Sequence, residues 1–358
     1  MSAATVDDVF ADAVPITLGG RDDFVVNHRY RLPDPDNEEK NITRTRVTTF
    51  CKAISDTYTL DQWGNRMVAK GMAMRPSIVA QVAVILNEKL DETEEKYALQ
   101  PLADAAKNAA AAREGADLGT ALHSFTEQHD RGRAPVVPEP WDRDMIAYRT
   151  ALDKISAHVE DPLIERIVLV FKYAVAGKFD RILKLAKPCP TCKRRYRVAD
   201  LKTGRDLQYG WHEIVVQLSL YAHADKMLNT SGTKPRWETF PPVCPCVGYV
   251  IHLPVGKGLA TLYVIDLIAG WEGAELCHRV RQWRKRKALA EPISQIEVTG
   301  NPQAGYTVVD HIPTWAERIK LAASVGELSD IWQEASRKGQ WTDELEALGK
   351  RRQSQLAS

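Results

Sequence analysis

From about Leu163 the texture of the chain changes, and that change narrows its possible folds more than any other feature. IERIVLVFKYAVAG, KFDRILKLA and YRVADLKTG are short apolar stretches rich in Val, Ile, Phe and Tyr, and they read as three strands. An amphipathic helix is expected at roughly 207–228, followed by two strands over VGYVIHLPV and LATLYVIDL. Strands broken by helices in this order imply an α/β core. Upstream, from Arg46 to about His129, apolar residues such as Val68, Met72, Ile78, Val82 and Ile85 recur at helical spacing. RGRAPVVPEP then interrupts the pattern. Downstream, a basic helix is expected from Trp271 to about Ala290. Three short helices follow over TWAERIKLAASV, ELSDIWQEASRKG and WTDELEALGKRRQSQL, with Ser329 or Thr342 as caps. The expected division is a loosely structured segment 1–45, a core domain 46–295 with a helical N-terminal part, and a C-terminal helical module 305–358.

Bulk numbers constrain function less. Lys and Arg number 48 against 47 Asp and Glu, a net charge of +1. That balance does not advertise nucleic-acid binding, but a local basic groove beside an acidic metal site would leave no trace in it. No apolar run reaches the ~18 residues of a membrane span. The start, MSAATVDDVFADAV, carries acids where a signal peptide carries bases. A cytoplasmic location is expected, and with it thiols or metal ligands for the six cysteines.

Asp180 and Asp200 carry the chemistry. KPCPTCK reads as a turn, and a simple hairpin centred on Pro190 sets Asp180 opposite Asp200, on one face of the sheet. Lys202, two residues on, shares that face. Two opposed carboxylates repel each other, and a hard divalent cation such as Mg²⁺ or Mn²⁺ would relieve them. An adjacent lysine could then hold water or stabilise charge on a scissile phosphate, so the chemistry points to metal-assisted phosphodiester hydrolysis. Taken alone, Asp-x-Lys far more often marks a surface cross-strand salt bridge.

Its company decides. GTALHSFTE, GKFDRI, ADLKTG and QLSLYA occur in that order, and the series resembles the RecB-type branch of the PD-(D/E)XK nucleases, which includes bacteriophage and CRISPR-associated exonucleases. The resemblance covers roughly residues 115–270. It implies a restriction-endonuclease-like mixed sheet core flanked by helices, with N- and C-terminal helical additions. It implies a metal-dependent DNA exonuclease with one or two Mg²⁺ or Mn²⁺ ions, acting on linear ends or single strands in recombination, replication or end processing. If the chain is phage-encoded, the location becomes the host cytoplasm. Asp180, Asp200, the Leu201 carbonyl and His123 match the metal ligands, and Lys202 matches the lysine of the motif. Gln217 and Tyr221 match the helix motif that lines the site and contacts DNA. His123 as an ordinary half-buried histidine, and Gln217 with Tyr221 as a packing pair, remain the alternatives. Glu165 is a further acid candidate.

Cys189 and Cys192 form CPTC, and Cys244 and Cys246 form CPC. In the family fold each pair would precede one of two parallel neighbouring strands, so a four-thiolate structural zinc site is expected, with unligated thiols as the alternative. Some relatives hold an iron–sulfur cluster through one upstream cysteine and a C-terminal triplet. Here Cys277 stands alone downstream of the pairs, so zinc is favoured. RVRQWRKRK, with Arg284 and Lys285, either tracks phosphates or is a solvated helix face. Lys178 and Arg181 flank Asp180 and are DNA-binding candidates. The C-terminal helices offer a surface for a recombination or replication partner, and an oligomer would suit processive action. Two rival functions stand beside the exonuclease: an endonuclease on the same fold, and a catalytically silent DNA-binding or assembly protein.

Overall fold

The computed structural model describes residues 24–110, 114–287, 289–290, 295–310 and 313–357. It divides into two compact units, Met1–Lys285 and Arg286–Ser358. The first unit is a mixed α/β fold around a central mixed sheet.

Three long strands form the middle of that sheet: β4 (Ala157–Val170), β5 (Val175–Leu185) and β6 (Tyr196–Lys202). They pair antiparallel in sequence order. β6 then pairs in parallel with β9 (Val247–His252), which pairs antiparallel with β10 (Thr261–Asp266). On the far side of β4 lie the short strands β7 (Lys226–Asn229) and β8 (Arg236–Thr239). Most of β5 and β6 is buried, as strands covered on both faces must be. Val198 packs towards α7 (Trp211–Ala222) and α8 (Leu267–Trp283), whereas Ala199 and Leu201 pack with α5 (Glu114–Asp130) and α6 (Asp142–Lys154). Each fully buried Leu or Ile in these layers contributes about 1.5–3 kcal/mol.

The expectation of a loosely structured segment up to residue 45 is corrected over the described residues; 1–23 lie outside them. β1 (Val25–Val26), β2 (Arg29–Asp34) and β3 (Asn37–Arg46) form a meander. Tyr30 and Leu32 point into the core while Arg29 and Arg31 face water, the alternation of a half-buried strand. β3 joins the start of β5 in parallel, Thr45 opposite Val175 and Arg46 opposite Ala176. β6 occupies the same edge of β5 only from Arg181 onwards. Between those two contacts, β5 residues 177–180 have neither neighbour, and a cleft opens there.

A short helix α1 (Val47–Cys51) follows β3. Three more, α2 (Tyr58–Met74), α3 (Pro76–Asn87) and α4 (Glu92–Ala109), pack mainly on one another. The helix expected over 207–228 ends at Ala222, and Lys226–Asn229 is strand β7. Among the described residues, no single helix is long and apolar enough to cross a membrane.

The second unit contains a hairpin, β11 (Ile296–Asn301) with β12 (Gly305–Asp310), which a helical module did not anticipate. Helices α9 (Trp315–Leu321), α10 (Val325–Arg337) and α11 (Asp343–Ala357) follow. Thr314 caps α9 in a capping box, and Ser324, not Ser329, caps α10. Ile319, Leu328 and Ile331 form this unit's own small core with Trp315 and Trp341.

Candidate active site

The cleft beside β5 is about 450 Å³ and gathers residues from elements far apart in sequence. Asp180, Asp200, Leu201, Lys202, His123, Gln217 and Tyr221 all line it. β5 and β6 pair as Arg181 opposite Ala199 and Leu183 opposite Arg197, the register that a turn at Pro190 dictates. Asp180 lies one residue beyond the last of these pairs. Its Oδ2 accepts a hydrogen bond from the Leu201 N–H at 2.9 Å, so the carboxylate takes the place of a ladder partner.

The two acids differ in electrostatics. Burial opposes charge on Asp180, but His123, Arg181 and Lys202 with the Leu201 N–H hold it below the usual carboxylate range. His123 Nδ1 is 3.7 Å from Asp180 Oδ2. Burial pushes Asp200 up to about 6, with Lys202 opposing and Asp180 reinforcing the shift. Lys202 Nζ pairs with Asp200 Oδ2 at 2.7 Å. Two buried carboxylates that line one pocket are donors suited to a hard cation. The acids and His123 do not converge as tightly as the cysteines described below; among the described residues only those four have all ligand atoms within 4.8 Å of one another.

Two glycines of the motifs admit close neighbours. A Cβ at Gly177 would meet Tyr221 Cε1 at 2.6 Å and Val47 Cβ at 2.9 Å, and one at Gly119 would meet Thr203 Oγ1 at 2.5 Å. Gly177 thus lets the buried Tyr221 ring reach the cleft floor, and Gly119 lets α5 approach the end of β6. Gln217 Nε2 donates to Tyr221 Oη at 3.4 Å, as their spacing of four on α7 allows.

Arg181 requires correction. Its side chain is 2% exposed and paired with Asp130 at 2.6 Å, with Tyr148 Oη beside it and Thr126 Oγ1 at 3.3 Å. A guanidinium sealed between α5, α6 and β5 cannot reach a DNA phosphate. It ties α5 to β5 instead, and so helps set His123 against Asp180. Lys178 does line the cleft, where it pairs with Glu165. Arg284 and Lys285 lie past the end of α8 at Trp283, not within a helix reaching Ala290, and neither lines the cleft.

The sequence reading missed Arg46, Tyr30 and Val47, which line the cleft from the N-terminal meander and α1. No carboxylate among the described residues pairs with Arg46. Glu165 proves close to the site. It sits at φ +52°, just past the β4–β5 register shift between Val159 and Ile164, and burial followed by the charge of Asp180 raises its pKa.

At the other end of β6, Cys189 and Cys192 from the β5–β6 turn meet Cys244 and Cys246 from the start of β9. The parallel pairing of β6 and β9 brings them together, helped by a bridge between Tyr196 and Val243. Cys192 and Cys244 sulfurs are 3.3 Å apart. N–H groups of Cys192 and Thr191 pull Cys189 down to about 6, while burial and the neighbouring sulfurs push Cys246 up to about 12. One thiolate makes the next harder to form, and a soft cation would relieve all four. The cluster is a plausible site for a structural metal ion. Cys51 and Cys277 are buried thiols elsewhere in the core and belong to no such group among the described residues.

The chain matches no protein-family model, and no curated protein aligns with it.

Removing one partner of a buried ion pair strands the other charge. Asp130→Ala is therefore expected to lower unfolding stability by about 3–5 kcal/mol in urea denaturation. A loss below ~1 kcal/mol would contradict the role given to Arg181.

Proposed function

We propose that the chain is a divalent-metal-dependent deoxyribonuclease on a restriction-endonuclease-like core, of the RecB-type PD-(D/E)XK branch its motifs resemble, and that it acts as an exonuclease. One observation carries this reading. Asp180, Asp200, Lys202 and His123, drawn from two strands and a helix, line one cleft in which both carboxylates are withdrawn from water. A salt bridge on an open sheet surface would have no such cleft and no such burial.

Asp180, Asp200, the Leu201 carbonyl and His123 would hold Mg²⁺ or Mn²⁺. When bound, the cation supplies Lewis acidity that activates water and offsets charge on the phosphate. Lys202 can turn its ammonium from Asp200 towards the attacking water and the developing negative charge. Arg46 at the cleft supplies the phosphate-directed cation that Arg181 does not. Gln217 and Tyr221 form a floor that excludes bulk water. Burial keeps the Tyr221 phenol protonated, so it donates a hydrogen bond and does not act as a base.

The cysteine cluster holds zinc in this reading. Four thiolates suit a closed tetrahedral site, and its place at the opposite end of β6 from Asp200 assigns it to structure, not chemistry. All six cysteines are unbridged, as in a reducing cytoplasm.

Two experiments test the proposal. End-labelled linear DNA should be degraded with Mg²⁺ or Mn²⁺ and spared with chelator, closed circles should survive, and Lys202→Ala should lose activity at least ~100-fold. Cutting of circles would make it an endonuclease, and no metal-dependent cleavage of either would remove the nuclease reading. Separately, the purified chain should be colourless and carry ~1 zinc. Cys192→Ser with Cys246→Ser should lose the zinc and lower the Tm. A brown preparation, or one without metal, would contradict the zinc assignment.

A further inference from the structure

A second cavity, of about 910 Å³, opens beside the cleft and shares His123, Glu165 and Lys178 with it. One face of α5 runs along it: Thr120, His123, Ser124 and Glu127 recur at helical spacing, with Arg131 just past the helix end. The β7–β8 turn, from Asn229 to Thr233, forms another wall.

Its cations are all paired in place, and its acids outnumber them by one. Arg131 pairs with Glu127 at 3.1 Å and Asp161 at 2.7 Å, Arg166 with Glu238 at 3.5 Å, and Lys178 with Glu165. Hydroxyl and amide groups of Ser124, Asn229, Thr230 and Ser231 complete the lining beside apolar Ile164 and Leu228, with Ser124 bonded to Gln128 and Asn229 bonded to Ser231 and Glu238. A groove that tracks a phosphate backbone needs unpaired cations. A wall of paired cations, hydroxyl and amide groups and apolar surface suits nucleobases and sugars instead.

The dimensions bound the ligand. From His123 to the end of α5 and the adjoining Arg131 the wall extends ~12 Å at the helical rise. That matches about three nucleotides at the ~3.4 Å spacing of a stacked strand. The volume lies near the top of the ~300–1,000 Å³ range of pockets that enclose whole small ligands.

We propose that this cavity is a subsite for the last two or three nucleotides of a single DNA strand, and that it sets the phosphodiester behind them at Asp180 and Asp200. The proposal rests on the nuclease reading and deepens it. The substrate end is single-stranded, and the products are short oligonucleotides whose length the cavity fixes.

The test fills the cavity from its turn. Wild type and Ser231→Trp are compared for product length on labelled single-stranded DNA with Mn²⁺, and for calorimetric affinity towards the trinucleotide dTdTdT with chelator present. Wild type is expected to release mainly di- and trinucleotides. Ser231→Trp is expected to shift them to mononucleotides and to weaken trinucleotide binding at least tenfold. Mononucleotides from wild type, or a product length and affinity that Ser231→Trp does not move, would overturn the subsite while leaving the nuclease. Trinucleotide binding that Ser231→Trp abolishes, in a protein that cleaves nothing, would keep the subsite and overturn the nuclease. Neither cleavage nor binding by wild type would overturn both. If Ser231→Trp lacks a cooperative thermal transition, Thr233→Trp, at the same turn, carries the comparison.

Discussion

Asp180 and Asp200 lie buried on adjacent strands, and the electrostatics of that placement organise the surrounding structure. Two carboxylates taken out of water repel each other and lose hydration. The fold answers each differently. Asp180 receives the Leu201 N–H and the fields of His123, Arg181 and Lys202, while burial outweighs Lys202 and Arg181 at Asp200, which rises to about 6. Arg181 stays in the core only because Asp130 and Tyr148 accompany it, and those partners fasten α5 and α6 to β5. His123, seven residues before Asp130 on α5, is carried into place by the same fastening.

Much of this was legible in the sequence because it depends on local pattern. The hairpin register of β5 and β6 follows from one turn, and register decides which side chains meet. The cysteine cluster could be anticipated once β6 and β9 were taken as parallel neighbours. The N-terminal meander was not recognised, although Tyr30 and Leu32 alternate with Arg29 and Arg31 as a half-buried strand requires. Its prolines and acids pointed to a loop. Arg181 was misjudged for a different reason. A basic residue beside a metal-site acid looks like a phosphate contact, and its true partner lies 51 residues away on a helix. Long-range pairing of that kind leaves no local periodicity. Arg46 was hidden likewise, because only the β3–β5 pairing brings it to the cleft.

On the proposed reading, the sheet also separates two kinds of metal chemistry. β6 starts near four sulfurs and ends in Asp200 and Lys202, and β9 starts just after Cys246 and ends at His252 beside Lys202. Soft ligands cluster at the closed turn end, where nothing needs to enter. Hard oxygen ligands lie in the cleft, which remains open between β3 and β6. A cation among the sulfurs would stiffen the turn from which β6 departs, and through it the register that places Asp200.

The claim on which the account turns is that the paired acids hold a divalent cation, and binding measures this more directly than cleavage does. Mn²⁺ would be titrated by calorimetry into wild type, Asp180→Asn and Asp200→Asn, each with its cysteine metal intact. Saturable binding of ~1–2 Mn²⁺ per chain that both substitutions weaken at least ~10-fold is the predicted result. Equal Mn²⁺ binding in all three proteins, or none in wild type, would contradict it.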